Sequence, residues 1–417
     1  MKKLSFETKL VHADRKLNKP EHGAVHSSTN NSVLFEFDDV ADLEAVFQGK
    51  KVGHVYSRSS SSTVVSLQTV LNDLEGGVGA VCFSTGMAAI SAMFFSLLRT
   101  GDHIIVSQFL FGNTRSFMET LKGFGIQISF VDVSRADHIQ AAVKKNTRLL
   151  FCESIANPVT QVADLKTIGN ICEHNGIIFA LDNTMTPSAL LDANSVKASL
   201  LITSLTKYVA GHGSVLGGVL VDMGSFDWTE YQNISEHYKV SDTAQWGLTQ
   251  IKKRGLRDMG ATLAPEAAAQ VAIGLETMTM RLHKTCNNAL ALAQFLSALP
   301  QVKTVHYPGL PEHPQHQRAT ELFTSGMCGG ILSFTLADKV DLRTFLNDLE
   351  LVISATHLGD TRTLALPVAT TIFYENGLEE RIKMGIDESL IRLSVGIENI
   401  EDLQNDFSQA FKKQSLQ

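Results

Sequence analysis

The chain has 417 residues, 44% of them apolar and 19% charged, with 30 Gly and 9 Pro. That composition excludes wholesale disorder and supplies apolar surface for large cores, at a length that suggests two or three domains. With 36 Lys and Arg against 43 Asp and Glu the formal charge is −7, which excludes a nucleic-acid binder held chiefly by phosphate contacts.

The opening MKKLSFETKLVHADRK has two lysines but no apolar run of seven or more, so no secretory signal is expected. The longest apolar segments, such as 93–98, fall short of the roughly 18 apolar residues of a membrane span. Five scattered cysteines (Cys82, Cys152, Cys172, Cys286, Cys328) form no CxxC pair and read as reduced core thiols of a cytosolic protein.

Residues 1–60 are polar and irregular, with no sustained period, and read as an arm. His22 and His26 are four apart, but Gly23 and the following SST argue against a helix that would align them on a metal, and no metal site is expected. From 61 the spacing of STVVSLQTVLNDLEGG predicts a helix ending at Gly76, and GMAAISAMFFSLLRTG a second, buried one. Strands and helices then alternate: HIIVSQ (103–108), QISFVDV (127–133), RLLFCES (148–154), GIIFALDN (176–183), SLLITSL (199–205) and VLGGVLVD (215–222) are continuous apolar runs. Such runs suit a mainly parallel sheet buried on both faces, hence an α/β large domain over 61–262. One long helical stretch, about 265–299, leads into a smaller domain, 263–417, with strand-like runs VKTVHYP, GGILSFTL and LIRLSVGI.

Ligands of open α/β sheets lie beyond the carboxyl ends of the strands. Four runs end in polar residues there: Glu153, Ser154 and Asn157; Asp182, Asn183 and Thr184; Ser204, Thr206 and Lys207; and Ser84, Thr85, Gly86 and Met87. STGMAAI places a serine N-cap and a glycine at a helix start, where free N–H groups favour a phosphate, although any capped helix looks the same. Ser325, Gly326 and Met327 repeat the pattern but run into a strand and lack the aligned donors. Lys207 follows an apolar strand, so a partly desolvated amine suited to Schiff-base chemistry competes with a lysine snorkelling from a strand end. Asp182 is either a buried ion-pair partner or a carboxylate that orients a heterocycle. One cofactor needs all three features: pyridoxal 5'-phosphate takes a lysine, a carboxylate on its ring nitrogen and a phosphate cup.

The ordered motifs YSR, LEGG, STGMAAI, ESIANP, LDNT, SLTKYVAGHG and IRLSVGIE resemble those of the pyridoxal-phosphate enzymes of cysteine and methionine metabolism, over about residues 6–410. That group contains cystathionine γ-synthases and lyases, methionine γ-lyases and O-acylhomoserine sulfhydrylases. The resemblance implies fold type I, the aspartate aminotransferase-like architecture, and a homotetramer of dimers with shared sites. It also implies that Lys207 carries the cofactor and moves protons, that Asp182 pairs with the pyridine nitrogen, and that Gly86, Met87, Ser204 and Thr206 hold the phosphate. Tyr56 and Arg58 would reach in from a neighbouring subunit to hold the same phosphate, with Tyr56 also a catalytic candidate. Thr184 joins the cofactor set, Asn157 contacts the 3-hydroxyl side and the substrate, Phe111 stacks on the ring, and Arg392 clamps the substrate carboxylate. Without the resemblance, Arg392 reads as a strand-edge ion pair and Phe111 as a core aromatic.

Several positions depart from the family pattern. Phe111 stands where most relatives have a tyrosine, SSST replaces NPT, His357 replaces a serine, and Leu366, Ile372 and Phe373 replace histidines. His357 is either a proton donor near the substrate or a hydrogen-bonded structural histidine. The expected activity is β- or γ-elimination or replacement on a small amino acid, with cystathionine favoured and acylhomoserine sulfhydrylation next. A nicotinamide dehydrogenase lacks its GxGxxG here, and a non-catalytic cofactor-binding regulator would need neither Lys207 nor Asp182.

Overall fold

The computed structural model describes residues 4–12 and 23–414. Seven strands form the larger sheet: β1 (Gly79–Phe83), β2 (His103–Ser107), β3 (Gln127–Val131), β4 (Thr147–Glu153), β5 (Ile178–Asp182), β6 (Leu200–Thr203) and β7 (Gly218–Asp222), in the order β1-β7-β6-β5-β4-β2-β3. The pairs among β2 to β6 are parallel, while β7 runs antiparallel to both β1 and β6. The run at 215–222 thus departs from the parallel expectation. No α-helix separates β6 from β7, and a return without a crossover helix closes an antiparallel pair.

Strand residues alternate between two cores, as a sheet covered on both faces requires. Leu150, Cys152, Phe179 and Leu181 face one cluster, and Leu149, Phe151, Ile178 and Ala180 the other. The first cluster continues through Phe334, Phe345 and Phe407 under a second sheet of β8 (Val302–His306), β9 (Ile331–Leu336), β10 (Ile353–Ser354), β11 (Leu364–Pro367) and β12 (Leu390–Ser394), ordered β10-β11-β12-β9-β8. All five cysteines are buried and unpaired.

Helix limits follow local chemistry. The Ser62–Glu75 helix is capped by the Ser61 hydroxyl, which keeps the cap although the following proline of the NPT pattern is missing, and it stops at Gly76 with φ 71°. The predicted helix at 265–299 is two helices, Pro265–Glu276 and Met278–Ser297, broken where Thr277 leaves helical ψ. The arm is less irregular than its polarity suggests, since it contains helices at Phe6–His12 and Val40–Phe47. His22 lies outside the described residues. No helix among the described residues is long and apolar enough to cross a membrane.

Candidate active site

The carboxyl ends of β4, β5 and β6 open onto one cavity of about 320 Å³, lined by Gly86, Met87, Phe111, Asn157, Asp182, Thr184, Ser204, Thr206, Lys207 and Arg392. Thr85, Ile90, Asn113, Thr114, Glu153, Met185, Leu216, Thr356 and Leu358 complete the wall. A groove of about 520 Å³ beside Arg318 is larger, but among the described residues none of its side chains is buried and unpartnered, whereas Glu153 Oε2, Asn157 Oδ1 and Arg392 Nε in the smaller cavity are. Buried polar atoms without partners mark the place where a ligand is missing.

At one end of the cavity the Gly86–Leu97 helix begins. Its N-cap is Thr85, whose hydroxyl accepts from the Ala88 N–H; the serine cap expected from STGMAAI sits one residue later, because Thr85 is the residue with extended φ/ψ. The Gly86 and Met87 N–H groups have no partner among the described residues and point out of the helix start, an arrangement suited to an anion. A Cβ at Gly86 would lie 2.9 Å from Ser204 Cβ and 3.0 Å from its Oγ, so only glycine lets that hydroxyl approach the helix end. The Thr206 hydroxyl lines the same wall but donates to the Gly217 carbonyl and accepts from its N–H.

Asp182, the last residue of β5, accepts from the Thr184 N–H at 2.9 Å, and Thr184 Oγ1 in turn accepts from the Ser204 N–H at 2.8 Å, which ties the ends of β5 and β6 together. Burial pushes the Asp182 carboxyl up, against the Thr184 hydrogen bonds that favour its charge, and no ion pair among the described residues neutralises it. Its register partner Glu153 is pushed up to about 8 by burial and then by Asp182 itself, and its Oε1 accepts from the Phe111 N–H. Sequence reasoning noticed Glu153 as a strand end but gave it no role; the two carboxylates ending adjacent apolar strands were the available signal.

Lys207 sits half-buried in the cavity lining, with its amine lowered to about 8 by burial and then by Arg392. Arg392 in β12 is buried, donates through Nη2 to the Thr356 and His357 carbonyls, and has no hydrogen-bond partner at Nη1 among the described residues. His357 is not on the cavity wall; its Nδ1 lies 3.3 Å from Lys207 Nζ. Burial and then the Lys207 charge lower its imidazole to about 4, so the proton donor expected near neutrality has no extra proton to give at pH 7. Tyr56 and Arg58 do not reach this cavity. Tyr56 is 46% exposed, and Arg58 donates to the Arg257 carbonyl.

The cavity fits pyridoxal 5'-phosphate by its own chemistry: an amine, a half-buried carboxylate with no cation paired to it among the described residues, and an N–H cradle beside the Ser204 hydroxyl stand around one space. That defines a class, the fold type I pyridoxal-phosphate enzymes, which comparison with known proteins supports. Residues 7–412 match the family described as Cys/Met metabolism PLP-dependent enzyme. The chain is 34% identical to an L-methionine gamma-lyase of Pseudomonas putida, covering 98% of this chain and 97% of that one. It is 33% identical to an O-acetyl-L-homoserine sulfhydrylase of Corynebacterium glutamicum, covering 97% and 96%. A crystal structure of a putative O-acetylhomoserine (thiol)-lyase from Campylobacter jejuni, which carries N'-pyridoxyl-lysine-5'-monophosphate, aligns with TM-score 0.90 and 30% identity over 98% of this chain and 100% of that one. The chain belongs to the Cys/Met metabolism family and is a PLP-dependent enzyme of sulfur amino-acid metabolism.

Proposed function

We propose that the chain catalyses γ-replacement on an O-acylhomoserine, an acetyl ester in preference to a succinyl one, with a sulfur nucleophile. The observation that carries this reading is Phe111. Its phenyl ring forms part of the cavity wall and has no proton to give a leaving group. A carboxylate leaves as the conjugate base of an acid of pKa about 4, whereas a thiolate is the conjugate base of one near 8.5 and needs a donor. Among the described residues of one chain the cavity lining offers one uncommitted guanidinium face, on Arg392, which suits a substrate with one carboxylate. The Arg58 brought by a second copy is taken by the phosphate, so the second carboxylate of cystathionine or of a succinyl ester is left without a fork. This reading places acyl chemistry ahead of the cystathionine expectation drawn from the resemblance.

When bound, the cofactor supplies a carbonyl to hold the substrate amine and a ring that accepts electrons. The chain supplies the rest. Lys207 Nζ holds the cofactor and, once free, removes and returns substrate protons. Asp182, otherwise a half-buried carboxylate with no cation paired to it among the described residues, would keep a ring nitrogen protonated. Gly86 and Met87 N–H groups and the Ser204 hydroxyl bind the phosphate, with Thr206 and Thr184 holding that wall in place. Asn157 on the cavity wall would meet the ring's oxygen substituent through its side-chain N–H donor, and Phe111 would pack on the ring face. Tyr56 and Arg58 are assigned to the cavity of a second copy. That assignment is supported by the arm's exposed Leu34 and Phe47 and fully exposed Val52, apolar surface that another copy would cover.

Product analysis tests the reading. With O-acetylhomoserine and sulfide the purified protein is expected to form homocysteine with little 2-oxobutyrate, and to release far less 2-oxobutyrate from methionine or cystathionine. Keto-acid release from either thioether at rates matching the acyl substrate would refute it.

A further inference from the structure

Lys207 and His357 are 150 residues apart in sequence and adjacent in space. Among the described residues, His357 Nδ1 is the one recorded hydrogen-bond partner of Lys207 Nζ, at 3.3 Å. We propose that His357 is the positioning residue of the free lysine: its neutral imidazole accepts through Nδ1 a hydrogen bond from Nζ whenever that amine is not covalently engaged, and so fixes the side of the cavity from which it acts. This rests on the reading of Lys207 as cofactor carrier and proton carrier.

Three features hold the ring in place. The Arg392 guanidinium, through Nη2, binds the carbonyls of Thr356 and His357 at 2.9 and 3.0 Å, so the group assigned to the substrate carboxylate also anchors the histidine backbone. Gly359, at φ 74°, lets the following turn lie against the lysine's own backbone, since a Cβ there would come within 2.7 Å of the Tyr208 nitrogen. On the other flank Gly213, at φ 61°, leaves room for Asp360, whose Oδ2 a Cβ at that position would overlap, and the His357 ring packs beside it at ordinary contact distance.

The charged groups facing the imidazole are Lys207, Arg392 and Arg362, which oppose its protonation, and Asp360, which favours it. Asp360 is itself ion-paired with Arg362. A neutral ring has one acceptor and one donor nitrogen. With Nδ1 accepting, the proton resides on Nε2, which is buried and unpartnered. An ammonium or amine at Lys207 always has a proton to donate, so the contact survives both of its charge states.

The test has two readouts. In 15N-histidine-labelled, cofactor-free protein, NMR is expected to show His357, assigned by its loss in His357→Gln, as the Nε2–H tautomer with a hydrogen-bonded Nδ1 whose shift changes in Lys207→Ala. In the holoenzyme, His357→Ala is expected to slow substrate Cα deuterium exchange about 10- to 100-fold, the scale of a misplaced catalytic group, with KM and the visible cofactor band unchanged. His357→Gln, whose side-chain oxygen can still accept, should recover most of that rate. An Nδ1–H tautomer, an Nδ1 shift indifferent to Lys207, or an alanine variant that loses cofactor with no rescue by glutamine would overturn the proposal. A wild-type protein that binds no cofactor would instead refute the assigned function while leaving the NMR result standing.

Discussion

Replacing Phe111 by tyrosine adds one hydroxyl to a ring already on the cavity wall and leaves its backbone anchor, the 2.9 Å bond from the Phe111 N–H to Glu153, untouched. The near-isosteric change is expected to be tolerated by the fold. If the phenyl ring is what restricts the enzyme to leaving groups that need no proton, the new donor should rescue thiolate departure. Thiol and carboxylic acid differ by about four pKa units, and a transition state that expresses half of that difference makes the donor worth about 100-fold, the low end of general acid catalysis. The assay is 2-oxobutyrate release from methionine beside homocysteine formation from O-acetylhomoserine and sulfide. Phe111→Tyr should raise the first about 100-fold and change the second by less than about threefold, since carboxylate departure needs no proton. Equal gains for both substrates, or none for methionine, would show that leaving-group protonation is not what Phe111 limits.

Asp182→Asn should leave the cofactor-free protein as stable as wild type or slightly more so, because desolvation already pushes this carboxyl toward its neutral form and no cation among the described residues pairs with it. The same change should shrink the rise in melting temperature on adding pyridoxal 5'-phosphate, measured by thermal melts with and without it. Burial holds the Lys207 amine near 8 instead of 10.5, and only the neutral amine attacks a carbonyl. The rate of cofactor uptake by the apoprotein should therefore climb about tenfold per pH unit below 8 and level off above it. Arg392→Leu removes the second cause of that depression, so the inflection should move to higher pH; a downward move would contradict the electrostatics.

Much of the site was legible because it is local. Glu153, Asp182 and Ser204 end or directly follow apolar strands, and Gly76 follows a periodic segment, so chain order alone placed them. The N-cap moved from Ser84 to Thr85 because adjacent hydroxyl residues have the same capping chemistry and only φ/ψ distinguishes them. The antiparallel turn of β7 was hidden because a buried strand reads the same in either direction. The break at Thr277 was hidden too, since neither Gly nor Pro marks it. Long-range pairings left no trace: the Lys207–His357 contact joins two loops, and the imidazole is lowered first by burial and then by the lysine charge. Thr206 had the right residue type in the right place, but its hydroxyl is occupied by Gly217, a backbone that comes into reach only after β7 folds back. The arm read as irregular because its apolar side chains, Leu34 and Phe47 among them, remain exposed in the single chain.

Borohydride reduction of the yellow holoenzyme, followed by proteolysis and peptide mass spectrometry, addresses the assignment of the lysine directly. The pyridoxyl-phosphate mass is expected on the peptide containing Lys207 and on no other lysine, with the label absent from Lys207→Ala protein that still folds. Label on a different lysine, or undiminished labelling of the alanine variant, would contradict the account.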